Sequence, residues 1–349
     1  MRLVILTQVL DRRDAVLGFF HAWCERFAQE VDELVVVAQE VGEVELPANV
    51  RVVSLGRERG AGRNLMALRL FRCVIGLRGG GGPTVIWGHM VPRFILNAAP
   101  AAWLRGFPMY LWYTHKGVDR SLRLACRFVR AVFTASAESF RHEGAYDRRV
   151  VTGHGIDGSQ FGQATGPRAV DVLAVGRLCP TKGQVELLDA VELLDPVPSV
   201  EFAGDVLLDA DLPYKELLVE RAASLDGSVT LLGAVPHIEV ADVMRRARVL
   251  VNTSRTGSVD KVVLEAMAAG AIPLTCNESF VAVFDEELQQ RLMFRHDHPD
   301  DLAEKLRAVL ALSDEERDAL GARLRDIVLR DHDLDRLIPA MVARMETSR

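Results

Sequence analysis

Five cysteines (Cys24, Cys73, Cys126, Cys179, Cys276) are scattered through 349 residues, odd in number and without a C-x-x-C pair. Their spacing argues against a zinc site and against a disulfide frame, and predicts a reducing compartment. Long apolar runs are missing too. The most apolar window, Phe94 to Tyr113, is interrupted by Asn97, Pro100, Arg105 and Pro108, which makes it a poor bilayer span. The opening MRLVILTQVL passes straight into Asp11-Arg12-Arg13 with no cleavage site, so no secretory signal is expected and the cytoplasm is the expected location. No G-x-S-x-G and no Ser/His/Asp arrangement offers a nucleophile. Lysine is nearly absent, at Lys116, Lys182, Lys215, Lys261 and Lys305.

The most telling shortage is of acid. Residues 51–130 hold 14 basic side chains against only Glu58 and Asp119, a net of +12. Residues 1–150 carry 21 Lys+Arg against 14 Asp+Glu, whereas 151–349 carry 21 against 34, giving the overall net charge of −6. An arginine-rich proteome explains arginine in place of lysine but not the missing carboxylates. The asymmetry predicts an anionic surface or anionic acceptor for the first half.

What is present is alternation. Apolar β-like runs at Leu3–Thr7, Glu33–Ala38, Arg51–Leu55, Thr84–His89, Met109–Thr114, Ala131–Ala135 and Val150–Thr152 are interleaved with helical patterns such as Gly18–Val31 and Arg63–Leu77. The scheme repeats from Asp171–Gly176 to Ile272–Thr275, and a helical tail from Pro299 breaks near Asp331-His332-Asp333. This predicts an α/β protein of two Rossmann-like, doubly wound domains facing across a cleft, joined by the polar stretch 158–169. The expected boundaries are 1–160 and 161–330, with residues 331–349 a helix packing back toward the first domain.

Two strand-to-helix loops carry the chemistry. The run DVLAVG ends at Gly176 in a turn that presents Arg177 and then Lys182-Gly183, and VNTSRTGSVDKVVLEAMAAG (251–270) carries Glu265 on its helix. A diphosphate needs cations and backbone N–H donors at a helix start, and a carboxylate suits a pair of ribose hydroxyls. Spacing alone leaves a solvated basic loop an equally good account.

Taken together, G-R-L-x3-K-G, the K-V-V-L-E-A-M-A-x-G block, H-G-I-D-x3-F (His154 to Phe161), L-L-G-A-V-P-H (231–237), A-R-V-L-V-N-T-S (247–254) and Y-T-H (113–115) resemble family-4 retaining glycosyltransferases (glycosyl transferases group 1) with the GT-B fold. The likeness spans most of the chain and is strongest in its second half. It implies that Arg177 and Lys182 grip the donor diphosphate and stabilise charge on the leaving group without a metal. It also implies that Glu265, the second glutamate of an E-x7-E motif, holds the nucleotide ribose. His115 matches a cleft histidine near donor sugar and acceptor. No cofactor is implied beyond the nucleotide-diphosphate sugar itself.

The sequence departs from that family at Gly257, where the motif has its first glutamate. Ser258, Asp260 and Lys261 are the candidate substitute contacts, and Asp260 is also a candidate helix cap. The expected function is therefore transfer of a sugar, with retention, from a nucleotide sugar to a lipid-linked or polysaccharide acceptor. The expected partners are that acceptor and an anionic membrane surface, not nucleic acid, with Arg63, Arg69, Arg72 and His89 as acceptor-side or membrane-facing candidates. A sugar-nucleotide epimerase or hydrolase, or a non-catalytic binding subunit, are the alternatives. Asp209-Ala-Asp211, His296-Asp297-His298 and Asp331-His332-Asp333 are read as solvated or structural, and no metal site is expected.

Overall fold

In the computed structural model, described over residues 1–77, 82–162, 166, 168–254 and 258–347, the chain divides into two units. Unit 1 is Met1–Gly155 together with the chain from Asp333 onward, and unit 2 is Ile156–His332. The C-terminal segment thus returns to the first unit, and the division falls a few residues from the expected boundaries at 160 and 330.

Unit 1 contains β1 (Arg2–Leu10), α1 (Phe20–Glu30), β2 (Glu33–Val41), β3 (Val50–Ser54), α2 (Arg63–Ile75), β4 (Thr84–His89), α3 (Pro92–Arg105), β5 (Met109–Trp112), α4 (Arg120–Ala125), β6 (Ala131–Thr134) and β7 (Arg149–Val151). The seven strands form one sheet in the order β3-β2-β1-β4-β5-β6-β7. Every pairing is parallel. Its central strands are buried on both faces, which is why LVILT and LVVVA read as continuous apolar runs rather than alternating ones.

Helix α1 and the C-terminal helix, Leu334–Thr347, cover one face of this sheet. The latter places Leu334, Leu337, Ile338, Met341, Val342 and Met345 inward at helical spacing, against Trp23 and Phe27. Each such fully buried side chain contributes roughly 1.5–3 kcal/mol. Trp23 also donates its indole N–H to the Gly155 carbonyl at 3.1 Å. Helices α2, α3 and α4 cover the opposite face through Met66, Leu70, Val74, Phe94, Ile95, Ala98, Leu122 and Ala125.

Unit 2 repeats the plan with β8 (Val170–Val175), α5 (Gln184–Val191), β9 (Val200–Ala203), α6 (Leu212–Ala223), β10 (Val229–Gly233), α7 (His237–Arg245), β11 (Ala247–Asn252), α8 (Lys261–Ala268) and β12 (Ile272–Thr275). Helices α9 (Glu286–Leu292), α10 (Pro299–Leu310) and α11 (Asp314–Asp331) follow, so the helix closing unit 1 is α12. The five parallel strands run in the order β10-β9-β8-β11-β12. Strand order reverses between β8 and β11, which makes their carboxyl ends the topological switch point of this unit. Gly176 and Gly204, which end β8 and β9, both adopt φ of 145°. A Cβ on Gly204 would stand 2.0 Å from the Gly176 carbonyl oxygen, so the two strand ends approach more closely than any side chain permits.

Candidate functional site at the switch point of unit 2

The loops leaving β8 and β11 meet at this switch point. Gly183 takes a left-handed conformation (φ 65°) and caps the start of α5, and a Cβ there would lie 3.1 Å from Thr253. Thr253 returns its hydroxyl hydrogen to the Lys182 carbonyl. The preceding turn is held as well, because Gln184 donates its side-chain amide to the Arg177 carbonyl at 2.7 Å. These bonds fix the backbone that carries Arg177 and Lys182 while the Arg177 side chain stays exposed.

Lys182 and Asp260 form the first half of the site. The Lys182 ammonium donates to Ser254 Oγ at 3.2 Å and to Asp260 Oδ1 at 3.4 Å. The other carboxylate oxygen of Asp260 accepts from Asn277 Nδ2 at 2.9 Å, and the same amide donates to the Ser258 carbonyl at 2.8 Å. Asn277, buried just beyond β12, therefore orients Asp260, which in turn holds the lysine at the strand ends. The loops after β8, β11 and β12 contribute to one polar chain.

Glu265 forms the second half. It is buried on the second turn of α8, with Lys261 Nζ at 2.8 Å and His237 Nε2 at 3.2 Å. Burial alone would push its carboxyl up, but Lys261 and His237 outweigh that and hold it down at about 2. An ionised carboxylate is thus kept ready to accept from hydroxyl donors. Lys261 and Glu265 stand four apart on one helix face, and His237 arrives from the start of α7.

In unit 1, His115 lies exposed just beyond β5. Its Nδ1 accepts from the Gly117 backbone N–H at 2.8 Å, which leaves the proton of the neutral ring on Nε2. His89 is buried, stacked on Phe20 with ring centroids 4.1 Å apart, and its Nδ1 meets Thr7 Oγ1 at 3.1 Å. Its surroundings are those of a core residue. Arg63, Arg69 and Arg72 are exposed on α2, Arg69 reaching back to the Leu55 carbonyl at 2.6 Å. Gly257 lies outside the described residues.

His237 and Asn277 carry no motif in the sequence that marks them as site residues. The signal for His237 was its place at a helix start just after a strand-like LLGAV, and for Asn277 its place just after an apolar strand. Asp209 and Asp211 form a single surface turn ahead of α6. The His296 segment differs from expectation, because α5 brings a third neighbour. Glu186 Oε2 lies 3.6 Å from one ring nitrogen and Asp297 Oδ1 lies 2.8 Å from the other.

Residues 161–326 match the model of the family described as glycosyl transferases group 1, a stretch that falls within unit 2. Among solved structures the chain is similar to Anabaena HepE in complex with UDP (TM-score 0.76, 17% identity, all of both chains covered). It is also similar to a Rickettsia africae glycosyltransferase (TM-score 0.79, 10% identity, 99% of this chain and 98% of that one). A third likeness is to sucrose-phosphate synthase from Thermosynechococcus elongatus (TM-score 0.74, 16% identity, 99% of each chain). A search of curated proteins gave no match. The chain therefore has the GT-B fold of two Rossmann-like halves, and its second unit resembles the group 1 glycosyltransferases.

Proposed function

We propose that the protein transfers a sugar, with retention of anomeric configuration, from a nucleotide-diphosphate sugar to a saccharide or lipid-linked acceptor. The observation that supports this most is the joint presence at one switch point of a tethered lysine and a buried, ionised glutamate. Lys182 and Arg177 provide two cations for the diphosphate, and the first turn of α5 adds backbone N–H donors. Glu265 accepts from the ribose hydroxyls. Anabaena HepE has been solved with UDP and with UDP-glucose, and a trehalose-phosphate synthase from Burkholderia xenovorans with glucose-6-phosphate, so proteins of this fold take such donors and acceptors.

Chemically, the step is departure of a nucleoside diphosphate from the anomeric carbon. Negative charge grows on the bridging oxygen as that bond lengthens, and cations already in place lower the barrier without reorganisation. Arg177 and Lys182 fill the role, so the reaction is proposed to need no metal. On the acceptor side, the His115 Nε2–H is a donor at a strand end of unit 1. The basic first unit is proposed to meet its acceptor at an anionic membrane surface.

The test is turnover of a panel of nucleotide sugars with and without acceptor, in chelator. Release of nucleoside diphosphate that depends on acceptor and survives chelation supports transfer. Release that is unaffected by Lys182→Ala or Glu265→Ala places the chemistry elsewhere, and release without acceptor at the same rate makes the protein a hydrolase.

A further inference from the structure

The outer face of α2, α3 and α4 has no part in the donor chemistry. These helices pack side by side, α3 against both neighbours, and their inward stripes fill the core. The outward stripe of such helices is ordinarily polar and mixed in sign. Here Leu65 and Leu68 on α2, Trp103 and Leu104 on α3, and Leu124 and Phe128 at α4 are exposed, Trp103 by 82% and Leu104 by 61%. Between them stand Arg72, Arg105, Arg123 and Arg127, all exposed. From Arg59 to Ala137 the only acidic residue is Asp119, and its carboxylate caps α4 by accepting from the Leu122 N–H at 2.7 Å. The sequence leaves no other carboxylate on these three helices to balance the arginines.

Topology then gathers part of this face. Helices in right-handed β-α-β units run antiparallel to their strands, so α3 and α4 end at the amino edge of the sheet. Arg105 ties the end of α3 to the end of α2 through the Leu77 carbonyl at 2.5 Å. The Arg130 N–H, just past α4, bonds the Met109 carbonyl at the start of β5. Trp103, Leu104, Leu124 and Phe128 therefore share one edge with Arg105, Arg123 and Arg127. His115 lies at the opposite, carboxyl edge of the same unit.

We infer that this amino-edge face docks on an anionic phospholipid bilayer, an extension that rests on the acceptor-side reading above for its purpose. Indole and aliphatic side chains enter the boundary between headgroups and acyl chains, and guanidinium groups pair with lipid phosphates at their rim. Nucleic acid offers phosphates but nothing for exposed leucines to bury against. A protein partner could bury Trp103 but would have to place a carboxylate opposite each arginine, whereas a bilayer supplies phosphates and an apolar layer with no such register. The bilayer interface satisfies both. Docked by this edge, unit 1 turns its strand carboxyl ends, with His115, away from the lipid, so the acceptor group that reaches His115 is the outer end of a saccharide standing off the membrane.

The chain reports on itself, because Trp23, Trp87 and Trp112 are buried and Trp103 is the one exposed tryptophan of four. The full-length protein is mixed with vesicles of phosphatidylcholine alone, or of phosphatidylcholine with about one-third phosphatidylglycerol, and followed by co-sedimentation and tryptophan emission. Expected are binding to the anionic vesicles only, a blue shift of emission, and weaker binding at high salt. R123E/R127E should lower binding at least about tenfold, and W103S/L104S should lower it and abolish the shift, while the unit 2 control R295E binds as wild type. Equal binding to both vesicles, no change in Trp103 emission, or wild-type binding by both double variants would overturn the inference. So would a lipid-free dimer that W103S/L104S converts to monomer, since a second copy would then own the face. Turnover with a soluble acceptor separates the two readings. Turnover without vesicle binding removes the docking surface alone, and vesicle binding without turnover removes the transferase reading alone.

Discussion

Unit 1 and unit 2 share a doubly wound parallel plan, yet they put their charge in opposite places. Unit 1 carries 24 Lys+Arg against 17 Asp+Glu and displays its arginines on the outside of α2 to α4. Unit 2 carries 18 against 31, but its decisive charges are drawn inward to the ends of β8 and β11, where Lys182, Asp260, Lys261 and Glu265 bond to one another. Exposed charge acts collectively and is screened by salt, whereas half-buried charge acts pair by pair and is oriented. The first suits a broad anionic surface and the second a small anionic ligand. One architecture can thus serve two kinds of recognition, depending on which residues stand at strand ends and which on helix backs.

The sharpest way to break this contrast is to neutralise a strand-end charge. Lys182→Ala is expected to lower nucleoside diphosphate release by roughly 10²–10³ with the fold retained, measured as steady-state turnover. A larger fall in thermal stability than in turnover would make Lys182 structural. Next comes geometry: Gly204→Ala forces a Cβ into the Gly176 carbonyl and is expected to cost about 3 kcal/mol or more in unfolding free energy, measured with denaturant.

Acidification is expected to weaken unit 2 through His332. Burial pushes this ring down to about 4 in the folded chain, against about 6.5 when unfolded. The unfolded chain therefore takes up the proton first, so stability is full above about 6.5 and falls as pH drops toward 4, by about 3 kcal/mol in all. Equilibrium unfolding across that range should show the slope, and His332→Gln should flatten it. Smaller again, Glu265→Gln is expected to weaken nucleotide-sugar binding about 10- to 100-fold in calorimetry, because hydroxyl donors lose a charged acceptor. Smallest is the unit 1 counterpart. His115→Ala should leave stabilisation by nucleotide sugar within about 0.5 kcal/mol of wild type, as suits an exposed side chain outside the donor loops.

Strand positions were readable because parallel strands buried on both faces are short apolar runs bounded by turn residues. Thr84–His89, Val200–Ala203 and Ile272–Thr275 fall where the pattern places them. Helix α3 was hidden for the opposite reason. FILNAAPAAWL is apolar on nearly all sides and interrupted by Pro100, so it shows no amphipathic period despite Pro92 at its start and Gly106 at its end, and it reads as a failed membrane span. At the candidate site, loop identity was legible because glycine, lysine and glutamate occur at strand-to-helix junctions. What the sequence could not display was the partnering. That Asn277 steadies Asp260, and that His237 shares Glu265 with Lys261, depends on loops 17 and 28 residues apart meeting at one sheet edge.

Unit 1 is the only one of the two that is interrupted in sequence: its last helix, α12, is separated from the rest by all of unit 2. During synthesis the sheet and α1 leave the ribosome first, while the strip that Leu334, Leu337, Ile338 and Met341 will cover, centred on Trp23 and Phe27, stays open to water. At about 5–20 residues per second, the intervening chain keeps that strip uncovered for on the order of ten to forty seconds. Unit 2 suffers no such delay, since Ile156–His332 emerges in one piece. The nascent chain thus builds most of its second unit while the first is still unsealed, and a chaperone that shelters apolar surface would have its target around Trp23 until α12 has emerged.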